Sequence, residues 1–196
     1  MVQLWSASLP SALRTIAVHS WFVAYDPATN AWARWEVWQR AEAGGQSWGH
    51  VHRDLMRPDR PVGGGPSFNE AEWVGDEAEA LLRVLATAPE YPARHRYRYW
   101  PGPNSNTFAA WVLGEAGIRH ALDPRAVGKD YLGLAGVRMR RGSGLLQVET
   151  PLIGVKADLT MRSLELHLLS LTFGLELRPG AATTPLGRVH FPRRRP

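Results

Sequence analysis

Polar and apolar residues alternate along residues 15–25, which predicts a strand with His19, Trp21, Val23 and Tyr25 on one face and Val18, Ser20, Phe22 and Ala24 on the other. Residues 26–30, rich in Asp, Pro and Asn, form a turn. Residues 31–39 are then a second strand of a hairpin, with Trp32, Arg34, Glu36 and Trp38 sharing a face. After a loop at 41–45, the polar, glycine-rich stretch 46–68 is expected to be irregular, with at most one short strand around His50. Ala78, Leu81, Leu82 and Leu85 recur at helical spacing, so residues 76–88 are a helix that Pro89 stops. No helix can run through Pro101 or Pro103, but Asn104, Ser105, Asn106 and Thr107 can cap one. Phe108, Ala109, Val112, Leu113 and Ala116 continue it as a buried stripe, and Gly117 ends it. Residues 123–131 are a loop with one helical turn. From Val137 onward the period falls to two, with strands at 144–149, 152–157, 162–169 and 172–177. There Leu164, Leu166 and Leu168 face one way and Glu165, His167 and Leu169 the other, the pattern of an antiparallel meander. The order hairpin, helix, helix, strands is that of an α+β fold: one domain over residues 1–178, then an extended basic tail over 179–196.

Composition narrows the chemistry. Nine tryptophans, five of them between Trp21 and Trp48, predict a packed aromatic layer in the N-terminal half. Cysteine is absent, so disulfides, thiolate metal sites and a cysteine nucleophile are excluded together. The net charge of +5 is carried almost wholly by arginine; lysine occurs only at Lys129 and Lys156. Arg193, Arg194 and Arg195 make a basic tail that is expected to be solvated, with peripheral contact to acidic lipid, or contact to RNA, as its functional alternative. The remaining excess is scattered, so no nucleic-acid groove is expected. Residues 1–18 lack the pattern of a secretory leader, and residues 159–177 are broken by Arg162, Glu165, His167 and Glu176, so a cytoplasmic protein is the default expectation.

Ser105 carries the sharpest chemical expectation. A small polar residue in the first turn of a buried helix lies beside unpaired N–H groups and the positive end of the dipole. A serine hydroxyl is a poor nucleophile without a base, and His19 on a rigid strand can serve as one. Something must hold the other imidazole nitrogen; Glu36 is the first choice, with Arg34 on the same face and Gln39 near the strand end. N–H groups at the helix start, with Asn104 or Asn106, would meet the oxyanion, and Trp100 and His50 complete the expected substrate-binding set. The same residues also fit a plain helix cap and an interior histidine. His50 and His52 lack the carboxylate-rich partners of a metal site, so they are expected to be structural or to line substrate, and neither a metal nor a cofactor is predicted. Gly63-Gly64-Gly65 lacks a following lysine and is a flexible loop. Lys129-Asp130 is expected as a surface pair bordering the same cleft.

Five segments together carry a resemblance: His19 to Phe22, Arg34 to Trp38, Trp48 to His52, Trp100 to Phe108 and Val127 to Tyr131. On these the chain resembles, over roughly residues 3–178, a bacterial family known only as a domain of unknown function. More distantly it is similar to the permuted papain-like superfamily that includes lecithin retinol acyltransferase. Members of that group have a strand histidine, a polar orienting residue on the next strand, and later an Asn-Cys-Glu-His-Phe-like motif opening a helix. Asn104-Ser105-Asn106-Thr107-Phe108 aligns with that motif, so the resemblance implies His19 as base and Ser105 where those relatives carry cysteine. The function it implies is a serine-dependent hydrolase or acyltransferase acting on an ester or amide of a lipid or peptide. The alternative is a non-catalytic binding module that kept the fold.

Overall fold

Two antiparallel sheets, separated in sequence by two helices, carry most of the chain. The computed structural model describes residues 1–27, 29–62, 65–140, 144–177 and 180–192. The first sheet contains β1 (Val2–Ser8), β2 (Val18–Asp26), β3 (Ala31–Val37), β4 (Gln46–Trp48), β5 (Val51–Arg53) and β6 (Ser67–Trp73), ordered β4-β5-β3-β2-β1-β6. The β2–β3 hairpin forms with the expected faces, closing through Asp26↔Ala31. β1 and β6 were not apparent in the pattern, and the stretch expected to hold at most one short strand holds both β4 and β5.

The period-two alternation divides the apolar residues between two layers. Val2, Leu4, Val18, Phe22, Ala24, Trp35, Val37 and Val51 pack against α1 (Gly75–Ala86) and α2 (Ser105–Glu115). On the other face Ala7, Trp21 and Val23 pack with Val62, bordered by Trp5, Trp32, Trp38 and Met56. Both helices follow from sequence: Asp76 and Glu77 complement the dipole at the start of α1, and Asn104 caps α2.

The second sheet is a seven-strand meander: β7 (Gly136–Arg140), β8 (Leu145–Glu149), β9 (Ile153–Asp158), β10 (Ser163–Leu168), β11 (Leu171–Glu176), β12 (Ala181–Thr184) and β13 (Gly187–His190). The last two strands correct the expectation of an extended tail: Ala181↔His190 through Thr184↔Gly187 form a hairpin that extends the sheet. Ala28, Gly63, Gly64, Pro179 and the Arg193–Arg195 run, on which turn, loop and tail expectations rested, lie outside the described residues. Among the described residues no helix is long and apolar enough to cross a membrane.

Candidate functional site

β2 and β3 pair only from Phe22↔Trp35 to Asp26↔Ala31; nearer the start of β2 they part, because β3 turns to pair with β5 through Glu36↔His52. The N-terminus of α2 fills the opened edge. Val18 N donates to Arg125 O at 3.0 Å, and Val18 O accepts from Asn106 Nδ2 at 2.9 Å. Asn104 organises this end: its Oδ1 accepts from the N–H groups of Asn106 and Thr107, and its Nδ2 donates to Tyr99 O and Val127 O. Thr107 Oγ1 accepts from Asn104 N and donates to Gly128 O, completing a capping box. Gly128 has φ +90°, and a Cβ there would lie 2.5 Å from Asn104 Nδ2, so only glycine lets the loop close on the cap.

One residue beyond Val18, His19 lies on the face shared with Trp21 and Val23, away from the helical layer. It is buried, and its Nε2 is 3.1 Å from Glu36 Oε2. Arg34 grips the same carboxylate in a fork, Nη2 to Oε2 at 2.8 Å and Nε to Oε1 at 2.8 Å. Its Nη1 donates to Arg57 O and Arg60 O, and its guanidinium stacks 4.2 Å over Trp21. Burial raises the Glu36 pKa, but the hydrogen bond and charge of His19, with those of Arg34, outweigh it and hold the carboxyl below its ordinary value. A fixed buried anion at Nε2 keeps a proton on that nitrogen, so a proton taken up or given up by the ring is exchanged at Nδ1. Among the described residues Nδ1 has no hydrogen-bond partner. The ring is flanked by Trp38 (centroids 5.6 Å apart) and Trp21 (6.0 Å).

The structure therefore brings together His19, Glu36 and Arg34, and places Ser105 as the first residue of the helix docked beside that strand. Ser105 is 3% exposed and His19 4%, and no hydrogen bond joins them among the described residues. Asn104 and Asn106 have their amides engaged by backbone carbonyls, and Asn106 Oδ1 is buried without a partner. Trp100 is largely exposed, with its Nε1 donating to Leu169 O of the second sheet. His50 Nδ1 donates to Trp38 O, and its ring packs at a tilt against Tyr97. His52 is buried between Ser47 Oγ and Arg40 O. Both of these histidines have carbonyl or hydroxyl partners that account for their positions.

The family model described as "Protein of unknown function (DUF3750)" matches residues 1–131. The chain belongs to this family. The DUF3750 portion thus comprises the first sheet, both helices and the whole His19–Glu36–Arg34 cluster, and ends just before the second sheet. No curated protein and no solved structure matches the chain.

Where the DUF3750 portion meets the second sheet, a cluster of charges is buried that the alternation had left unassigned. Lys129-Asp130, expected at the surface, is enclosed: Lys129 is 9% exposed, pairs with Asp130 and donates to Thr172 Oγ1. Lys156 lies 3.2 Å from Glu165 and 3.5 Å from Asp130; His167 donates to Glu149 through Nδ1 and approaches Glu165 through Nε2 at 3.2 Å. Burial opposes the charge on Asp130, yet Lys129 and Lys156 hold its pKa down to about 2. Burial likewise disfavours the His167 imidazolium, but the bonds to Glu149 and Glu165 raise it to about 9. Asp130, Glu165 and His167 present donor atoms within 4.8 Å of one another, a spacing that would suit a cation. Two lysine ammonium groups already occupy those carboxylates, so the donor set is that of a charge-balanced ionic network and does not fit a metal. Next to it a cavity of about 370 Å³ opens between the end of α2 and the inner face of the sheet. The sequence signal for this network was the alternation Glu165/His167 against Leu164/Leu166/Leu168, read without knowing which face is covered.

Proposed function

We propose that this DUF3750 protein is a serine-dependent acyl-transfer enzyme, a hydrolase or acyltransferase of permuted papain-like architecture acting on an ester or amide of a lipid or peptide. The observation that carries the reading is the buried Glu36–His19 pair, which commits Nε2 and leaves Nδ1 unpartnered one residue from the carbonyl that anchors the start of α2. Ser105 Oγ attacks the substrate carbonyl while His19 Nδ1 takes its proton; the tetrahedral intermediate collapses as His19 returns that proton to the departing alcohol or amine. Water, or an acceptor alcohol or amine, then attacks the acyl-serine by the same route in reverse. Because Asn104 Oδ1 already accepts from Asn106 N and Thr107 N, the Ser105 N–H is the first-turn donor left for the oxyanion. His19 projects from the face of β2 opposite the helical layer, so the mechanism requires the Ser105–His19 hydrogen bond to form around the opened edge of β2 as substrate enters.

Turnover of a panel of p-nitrophenyl acyl esters tests this. Ser105→Ala and His19→Ala are each expected to lower kcat/KM by roughly 10³-fold or more, and Glu36→Gln to lower kcat with KM retained. Turnover that survives Ser105→Ala contradicts the proposal. The burial of both Ser105 and His19 favours a second reading, a binding module that holds a lipid or peptide without cleaving it. Under that reading Ser105→Ala leaves a co-purifying ligand, seen by native mass spectrometry, in place.

A further inference from the structure

The second sheet is inverted relative to a sheet that covers a core. Its inward positions are polar and buried: Gln147, Glu149, Glu165, His167, Thr172 and Thr183. Its outward positions are apolar without exception from β7 to β11. Two ladders cross the strands in register, Val137↔Val148↔Val155↔Leu166↔Phe173 and Met139↔Leu146↔Ala157↔Leu164↔Leu175. Apart from half-buried Ala157 these side chains are well exposed, from 42% at Phe173 to 68% at Val137. At about 4.8 Å between strands and 3.4 Å per residue, five strands give a flat apolar footprint of roughly 400 Å². That is as large as the largest apolar patches soluble monomers expose, which are usually functional.

Charge is distributed unevenly along the sequence. After residue 131 there are ten lysines and arginines against four acids; before it, thirteen against fourteen. The whole positive excess therefore belongs to the last third of the sequence, which contains the strands of this sheet. In the meander, the segments entering β7 and joining β8–β9, β10–β11 and β12–β13 all fall at one end. None contains a charged residue, and each contributes an exposed leucine: Leu134, Leu152, Leu169 and Leu186. Exposed Trp100 adjoins this end through its bond to Leu169 O, with Tyr99 beside it in sequence. The connections at the opposite end also carry apolar Leu159 and Leu177, together with Arg162 in the β9–β10 turn; Arg140, at the end of β7, turns inward and donates to Gly114 O.

We propose that the outer face of β7–β11 docks on the surface of an anionic lipid bilayer, with its leucine-tipped, uncharged end toward the acyl chains and Arg162, at the other end, at the lipid phosphates. Strands of five or six residues are shorter than the ~9–11 needed to cross a bilayer, so the sheet lies on the membrane and does not span it. Tryptophan and tyrosine beside Leu169 suit the headgroup boundary. A second copy of the chain is the weaker occupant, because face-to-face packing at ~10 Å would join two C-terminal portions that are each net basic in sequence, whereas anionic lipid complements that charge.

Co-sedimentation of the full chain with vesicles of phosphatidylcholine alone, and with three-tenths phosphatidylglycerol, tests the proposal. At least tenfold tighter partitioning onto the anionic vesicles is expected. Leu166→Glu and Met139→Glu, both at exposed positions on different strands, are each expected to weaken it tenfold or more with unchanged melting by circular dichroism. Folded wild-type protein that ignores both vesicles overturns the proposal. So does anionic binding that both variants retain, which would mark a charge effect without the apolar face. A wild-type dimer by sedimentation velocity that Leu166→Glu splits, with vesicles left unbound, overturns it in favour of a second copy.

Discussion

Asn104 and Ser105 are adjacent, yet the fold depends on them very differently. The Asn104 side chain caps α2 at Asn106 N and Thr107 N and ties it to Tyr99 O and Val127 O, while the Ser105 hydroxyl has no partner among the described residues. Asn104→Ala is therefore expected to cost at least about 1–2 kcal/mol, the upper range for loss of an N-cap, and Ser105→Ala to stay within about 0.5 kcal/mol. Urea unfolding of the two variants measures both; a Ser105→Ala loss as large as that of Asn104→Ala would assign the hydroxyl a structural role. At this scale the sequence was partly legible. His19 and Glu36 were paired from strand parity together with the chemistry of a carboxylate beside an imidazole, which singled out Glu36 from Arg34 on the same face. Arg34 was seen only as an alternative orienting group, because its second task, holding Arg57 O and Arg60 O, depends on a loop whose path no local pattern encodes.

Elements were legible where burial is decided locally. Both helices and β8 to β11 were marked by periodicity and breakers, and they fall within a few residues of their expected bounds. β1 and β6 were missed because each is made a strand by a distant partner: Val2↔Trp73 and Ser6↔Phe68 join segments more than sixty residues apart. The parting of β2 from β3, on which the candidate site depends, is likewise a consequence of β5 and α2 competing for their edges. The loop that closes on α2 can be tested through one glycine. Gly128→Ala adds a Cβ against the Asn104 amide at a backbone of φ +90°, so it is expected to destabilise by about 1–3 kcal/mol and to lower any Ser105 reactivity in parallel. Thermal unfolding of the variant checks this, and an unshifted midpoint would show that the cap tolerates displacement.

For the molecule as a whole, the junction between the DUF3750 portion and the second sheet is ionic, and so is sensitive to pH. The folded-state pKa of His167 lies at about 9, above its ordinary 6.5. Its contribution is accordingly complete below pH ~6.5 and fades as pH rises through ~9; the shift corresponds to about 3 kcal/mol at most. Melting temperature measured from pH 6 to 10 is expected to fall across that window, and His167→Gln to flatten the fall. The inversion of the second sheet was written in the sequence as Leu164, Leu166 and Leu168 against Glu165 and His167, but alternation alone cannot say which face is covered. That choice is made by Lys129 and Asp130, which pair with the polar face and leave the leucines outside.

The acyl-transfer reading is tested most directly by treating the folded protein with a fluorophosphonate and locating the adduct by tandem mass spectrometry. One covalent adduct on Ser105 is expected, absent from Ser105→Ala and formed at least a hundredfold more slowly by His19→Ala. A folded wild-type protein that stays unmodified, or an adduct that persists in Ser105→Ala, would contradict it.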